Sequence, residues 1–502
     1  MSQPDVLQTS IFKPQHGGLR WDILFGSYEG VERFAVQELE RAVQGCLPYV
    51  VQVRNAGESD AAGGHRLLVG TAKNNRWIAE LCEQGRITVP DRNEGYAIAC
   101  MESPWTPGSR VAVLAGNDER GVLYAVEDFA AHVVAPAVPD NPTPARLREA
   151  FDKLGDFART EFPRIDNRGI WTWGYVVYDY RRFIDHMARL RMNMLTLWND
   201  CAPLNAREII EYAHSRGVRI VFGFHWGWGL ADADLSNPAH RRQIREHVVR
   251  NYRENYQGLG LDGIYFQTLT EHSHVEAGGR STAELACLLV NEIAAELYEA
   301  EPSLYVQFGL HATSIRDRFV DLQPLDRRIV IAWEDAGVLP YCYTPGIGAM
   351  PDSASHEWLA TPESTVEYSR RLATFREGTE FAMCAKGWTC LRWTDEFEHH
   401  GPFLLGERDA GFVRRRLNER RARWDRVNSL WFQHYPLAAH FYREILACEP
   451  ARTTVLGLIE DGLFEEEIQP SVALFAETLW NPQRPDRKIL EPALSPYYRA
   501  GR

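Results

Sequence analysis

Cysteine is sparse and unpatterned, with nine thiols in 502 residues, an odd number without a single CxxC pair. That usage argues against a disulfide framework or a zinc ribbon and suits a reducing compartment. Long apolar runs are missing too, since no stretch approaches the roughly 18 residues of a membrane span. Residues Met1 through Gln15 have neither the basic cluster nor the apolar core of a secretory leader. Together these absences predict a cytoplasmic protein with no membrane partner. A basic surface is also lacking: the net charge is −13, and the arginines scatter along helices such as Arg414 to Arg426. Nucleic acid is therefore not an expected partner. No HxxxH pair occurs, and the adjacent His399 and His400 point apart in an extended stretch, so no catalytic metal is expected. No strand-to-helix turn carries a phosphate-binding glycine fingerprint, and no cofactor is expected either.

What is present is the material of a large folded protein. With 45% hydrophobic and 25% charged residues there is ample substance for a core, and the length suits two or three domains. Tryptophan is plentiful at 15 copies, many beside polar residues, a setting that suits stacking on sugar rings.

The chain divides by rhythm. Strand-like runs at Trp21 to Tyr28, Arg66 to Thr71, Tyr96 to Glu102 and Arg110 to Ala115 mix with helical spacing at 29–42 and 122–134. This predicts an α+β accessory domain over 1–145, closed by the prolines 136, 139, 142 and 144. From Arg168 a strand and a helix alternate. Strand signals fall at Gly169 to Tyr175, Met194 to Trp198, Val218 to Phe224, Gly263 to Gln267, Leu304 to Gly309, Ile329 to Trp333 and Phe381 to Ala385. Such alternation without a dinucleotide motif predicts a (β/α)8 TIM-like barrel over 146–405, with its eighth strand unassigned. Residues 406–502 read as a mainly helical region.

In this class of barrel the chemistry gathers at the C-terminal ends of the strands. Reading along those ends gives Trp171 and Trp173; Asn199 and Asp200; His225, Trp226 and Trp228; Gln267, Glu271 and His272; His311; Trp333, Glu334 and Asp335; Lys386, Trp388 and Arg392. Carboxylates, imidazoles and indoles converge on one rim. Glycosidic cleavage needs one carboxyl group to protonate the leaving oxygen and a second to attack or to activate water. Glu271, after an apolar strand and beside histidines, is the candidate acid. Glu334 or Asp335, closing the apolar strand Ile329 to Trp333, is the candidate base or nucleophile. The others are candidate substrate contacts. Each has a structural alternative: the carboxylates as helix caps, the histidines as core hydrogen-bonders, the tryptophans as packing, and Asn199-Asp200 as a turn.

Three stretches carry a resemblance. Gly116 to Ala125 looks like the closing strand, turn and helix of an accessory domain. Arg168-Gly169 with Ile184 to Ala188 and Met192 to Leu195 looks like a first β/α unit, and Gln267 to Glu271 falls where a catalytic acid is placed on strand four. In these the chain resembles the barrel glycoside hydrolases that include the xylan α-glucuronidases and the β-N-acetylhexosaminidases. The resemblance implies a two-carboxylate glycosidase. Hexosaminidases carry an Asp before the acid, where this chain has Thr270, which disfavours cleavage assisted by an acetamido group. α-Glucuronidases carry a Lys shortly before the acid, where Gln267 stands, leaving Lys386 or Arg392 to meet a uronate. The expected function is hydrolysis of a small oligosaccharide or glycoside, with α-glucuronidase-like cleavage as one form. The alternatives are a sugar-acid lyase or isomerase on the same barrel and a non-catalytic carbohydrate-binding protein. The sequence leaves a homo-oligomer open.

Overall fold

The computed structural model describes residues 19–47, 49–58, 64–137, 149, 151, 153–199, 201–224, 226, 234–266, 270, 274–334, 361–388, 403–459, 463–495 and 498. They form two compact units, Met1–Phe162 and Pro163–Arg502.

The first unit is built on a six-stranded sheet. Its strands are β1 (Trp21–Phe25), β2 (Gln52–Asn55), β3 (His65–Thr71), β4 (Tyr96–Glu102), β5 (Arg110–Gly116) and β6 (Phe157–Glu161), in the order β2-β1-β3-β5-β4-β6. β1, β2, β3 and β5 run parallel, and β4 runs antiparallel to both β5 and β6. The central β3 is buried along its whole length, so its apolar run needs no polar alternation. The helix Glu119–Phe129 starts where Asp118 accepts a hydrogen bond from the Gly121 amide, an ordinary N-cap. Gly121 is required there because a β-carbon would strike the Gly95 carbonyl. The unit continues past residue 145 because β6, with its polar sequence FARTE, adds an edge strand to β4.

The second unit is a closed barrel of eight parallel strands. In chain order these are β7 (Asn167–Trp173), β8 (Met194–Trp198), β9 (Arg219–Gly223), β10 (Gly263–Phe266), β13 (Tyr305–Leu310), β14 (Ile329–Trp333), β15 (Glu380–Trp388) and β16 (Arg452–Ile459); a small hairpin, β11 (Glu276–Ala277) with β12 (Arg280–Ser281), follows β10. All seven strand signals in the sequence are strands of this barrel. The eighth is β16, which closes the ring by pairing with β15 and β7. It comes after a 37-residue helix, Ala410–Leu446, and interrupts the tail that the sequence reads as helical. The helices Pro470–Trp480 and Asp486–Ala493 follow it.

Alternation along the strands sends one set of side chains inward. Trp171, Trp173, Met194, Trp198, Val221, Tyr265, Val330, Ala332, Ala382, Cys384, Leu456 and Leu458 make a single buried cluster, the filled interior expected of an eight-stranded barrel. At the N-terminal end this filling becomes polar. Glu380 Oε1 accepts from the Tyr305 hydroxyl at 2.5 Å, from the Thr454 hydroxyl, and from Asn167 Nδ2 at 3.4 Å. Nearby, Arg191 pairs with the buried Glu477, and Arg168 and Arg191 lie over the Trp480 ring at 5.2 and 4.5 Å. Among the described residues no helix is long and apolar enough to cross a membrane.

Candidate active site

At the other end of the barrel the strands deliver charge. β14 ends at Trp333, and the next residue, Glu334, keeps the ladder going through its amide, which donates to the Leu310 carbonyl at 3.0 Å. The period of two that turns Ala332 inward also turns Glu334 inward. Its carboxylate is almost fully buried, at 3% exposure. His311, the residue after β13, brings Nε2 to 3.3 Å from Glu334 Oε2. Lys386 on β15 brings Nζ to 4.0 Å from the same oxygen. A register irregularity between Ala385 and Trp388 lies at this point of β15, as bulges commonly do at the rims of barrels.

Thr270 fastens the loop after β10 to this corner. Its hydroxyl accepts from the His311 amide at 3.0 Å and stands 3.5 Å from His311 Nδ1, while its carbonyl accepts from the Ser314 hydroxyl at 2.7 Å. Strands β10, β13, β14 and β15 therefore each contribute a piece of one cluster. A neighbouring ammonium favours the ionised form of a carboxylate, while burial opposes it; the ionised form is the one a nucleophile or base requires.

Below the cluster lies an aromatic floor. Trp171 meets Trp173 edge-on at 5.0 Å and Tyr265 at 5.8 Å, and Trp173 meets Trp198 at 4.6 Å. Asn199 is tied elsewhere: its side-chain oxygen accepts from the Gly174 amide at 3.0 Å, which pins the turn after β7. Three of the candidate tryptophans do not join the cluster. Trp333 packs 5.3 Å from Tyr368 on the helix Pro362–Thr374. Trp388 stacks on Trp431 at 4.4 Å and donates to the Ser471 hydroxyl at 2.9 Å. Trp226 stacks on Phe266. All three have no exposed surface and occupy the layer between strands and helices, a packing position. Asp200, His225, Trp228, Gln267, Glu271, His272, Asp335 and Arg392 lie outside the described residues.

Reading strand ends alone missed Tyr265, Trp198 and Thr270. Tyr265 and Trp198 lie within their strands, on the inward face. The signal that finds them is the period of two, combined with the glycines at 223 and 309 that mark close approaches. Among the described residues no group of His, Cys, Asp and Glu could hold a metal ion.

The architecture is that of an eight-stranded parallel barrel carried in one chain with an α+β sheet domain. No model of a protein family matches the sequence, and no curated protein does. Solved structures share the fold. An enzyme of glycoside hydrolase family 138 that targets pectin rhamnogalacturonan II superposes with a TM-score of 0.51 at 13% identity, over 93% of this chain and 51% of its own. CpGH84B, of glycoside hydrolase family 84, gives a TM-score of 0.50 at 11% identity, over 94% of this chain and 70% of its own. The chain thus spans about half the length of the first of these proteins. At such identities the likeness concerns the fold.

Proposed function

We propose that the barrel is a glycosidase acting on a small carbohydrate, with Glu334 as its nucleophile or base and Glu271 as its general acid. The observation that carries this reading is the buried Glu334 carboxylate at a strand's C-terminal end, with the His311 imidazole at 3.3 Å and the Lys386 ammonium at 4.0 Å. A carboxylate with cationic company inside a barrel mouth is what the attacking or water-activating partner in glycoside cleavage needs to be. Thr270, which precedes Glu271 in the chain, is bonded to His311 in the same corner. The two structural neighbours, both from glycoside hydrolase families, support the same reading. Lys386, with its side chain 22% exposed beside Glu334, suits a substrate that carries a carboxylate, such as a uronide. Trp171 and Trp173 supply the apolar floor.

The test is a panel of nitrophenyl glycosides that includes uronides, run with the wild type, Glu271→Gln and Glu334→Gln. A glycosidase releases nitrophenol from at least one member and loses that turnover in both variants. Release by the wild type with no loss in either variant refutes the assignment. The His311–Glu334 pair also fits a second reading, a lyase or isomerase in which the imidazole takes a proton next to a substrate carboxylate. An unsaturated or rearranged sugar, found by mass spectrometry and NMR in place of a free reducing end, would favour it.

A further inference from the structure

Two glycines clear the ground for one aromatic side chain. Tyr265 on β10 pairs with Gly223 on β9, where a β-carbon would lie 3.2 Å from the Tyr265 ring and 2.5 Å from Trp198. At Gly309 on β13 a β-carbon would collide with Glu334 Oε1 and lie 2.5 Å from the Tyr265 hydroxyl. Phenol and carboxylate therefore border the same small space above the Gly309 backbone. Any side chain at 309 would fill it.

Tyr265 is buried to 1% exposure, and its hydroxyl has no hydrogen-bond partner among the described residues. A buried hydroxyl without a partner costs stability, so phenylalanine would serve better there if packing were the whole role. The same barrel shows what a tyrosine can do for a carboxylate. At its N-terminal end Tyr305 donates its hydroxyl to Glu380 at 2.5 Å.

We propose that Tyr265 is the positioning residue of Glu334: the phenol oxygen and Oε1 border one space above Gly309 without meeting as a hydrogen bond in this structure, and a small turn of the phenol brings its hydroxyl onto Oε1 to fix the direction of the carboxylate. This rests on Glu334 being the working carboxylate of the proposed glycosidase. His311 from the end of β13, Lys386 from β15 and Tyr265 from β10 face that carboxylate. The first two face Oε2, Lys386 as an ammonium and His311 as an imidazole that carries charge only when protonated. Tyr265 shares with Oε1 the space above Gly309, and its phenol would bring direction without charge.

The experiment compares Tyr265→Phe with the wild type in the full chain. The Glu334 carboxylate is titrated directly, by difference infrared spectroscopy on protein with isotopically labelled glutamate, with Glu334→Gln as the subtraction reference. Losing a hydrogen bond to the charged form should raise the Glu334 pKa by about one unit. With a nitrophenyl glycoside, kcat should fall about tenfold to a hundredfold while KM changes by less than about twofold, and the acid limb of the pH profile should move upward with the pKa. An unchanged Glu334 pKa in Tyr265→Phe overturns the proposal, because the phenol then does not bond to the carboxylate. The two ideas fail separately. If Glu334→Gln keeps full turnover, the glycosidase assignment falls while the infrared titration still decides whether the bond exists. If Glu334→Gln is inactive and Tyr265→Phe titrates and turns over like the wild type, only the positioning role falls.

Discussion

Each end of the barrel turns a glutamate inward, and the two are held in opposite ways. Glu380, at the N-terminal end, receives three neutral donors on one oxygen and has Arg452 at 3.7 Å from the other. Glu334, at the C-terminal end, faces two cationic or titratable groups at 3.3 and 4.0 Å. A carboxylate whose one oxygen takes three neutral donors from neighbouring strands, and whose other pairs with an arginine of the adjacent strand, is a structural joint. One set among an imidazole and an ammonium can change partner as charge develops, which is what chemistry requires. The difference separates a strand joint from the proposed catalytic carboxylate, although both face the barrel interior.

The comparison can be broken most directly at Glu334. Glu334→Gln should cut turnover of a nitrophenyl glycoside by about 10³-fold, in the range typical of acid–base groups, with little change in melting temperature by circular dichroism. The N-terminal end should show the reverse pattern. Glu477→Ala removes the carboxylate from buried Arg191 and should lower unfolding free energy by about 3–5 kcal/mol, read from urea titrations, with turnover retained by the folded fraction. Glu380→Ala leaves the hydroxyls of Tyr305 and Thr454 without their acceptor, and should cost about 1–3 kcal/mol in the same assay. A loss of activity in Glu380→Ala comparable to that of Glu334→Gln would erase the distinction.

Acid sharpens it further. Burial first, and the charge of Arg189 second, pull His186 down to a pKa of about 3, and its Nδ1 sits 2.6 Å from the Phe464 carbonyl. A histidine whose folded pKa lies below its unfolded one contributes fully above the unfolded value, near 6.5. Its contribution is lost as pH falls, because only the unfolded chain takes the proton. Between pH 6 and 4 this group should remove up to about 1.4 kcal/mol of stability per pH unit. His186→Gln should flatten that slope in urea titrations at stepped pH, while leaving the acid limb of turnover unmoved.

Much of the architecture was readable in advance, and the reasons are physical. The seven strands from β7 to β15 are short apolar runs, each succeeded by a helical segment, so pattern and spacing agree. β16 is just as apolar, with sequence RTTVLGLI, yet it was hidden by its place behind the helix Ala410–Leu446, which breaks the rhythm. β6 was hidden by composition, since an edge strand with polar side chains looks like a linker. At the site, reading strand ends picked out Glu334, His311 and Lys386, which the structure brings together. The same reading swept in Trp333 and Trp388, because proximity to a strand end does not tell inward from outward. Parity does: Trp333 is one residue from inward-facing Glu334, and Trp388 two past Lys386 but across a register shift. Tyr265 and the glycines beneath it needed the neighbouring strands to be aligned, which only the closed barrel supplies.

Closure itself has a consequence for how the molecule is made. The last stave of the barrel is residues 452–459, wedged between β15 and β7, so on the ribosome both of those strands wait with bare edges until almost the whole second unit has emerged. Open edges invite pairing with other chains. A nascent chain stalled or clipped between Lys386 and residue 452 would carry His311, Glu334 and Lys386 and still have no ring to hold them, which makes the long helix Ala410–Leu446 a delay line between that corner and the scaffold that secures it.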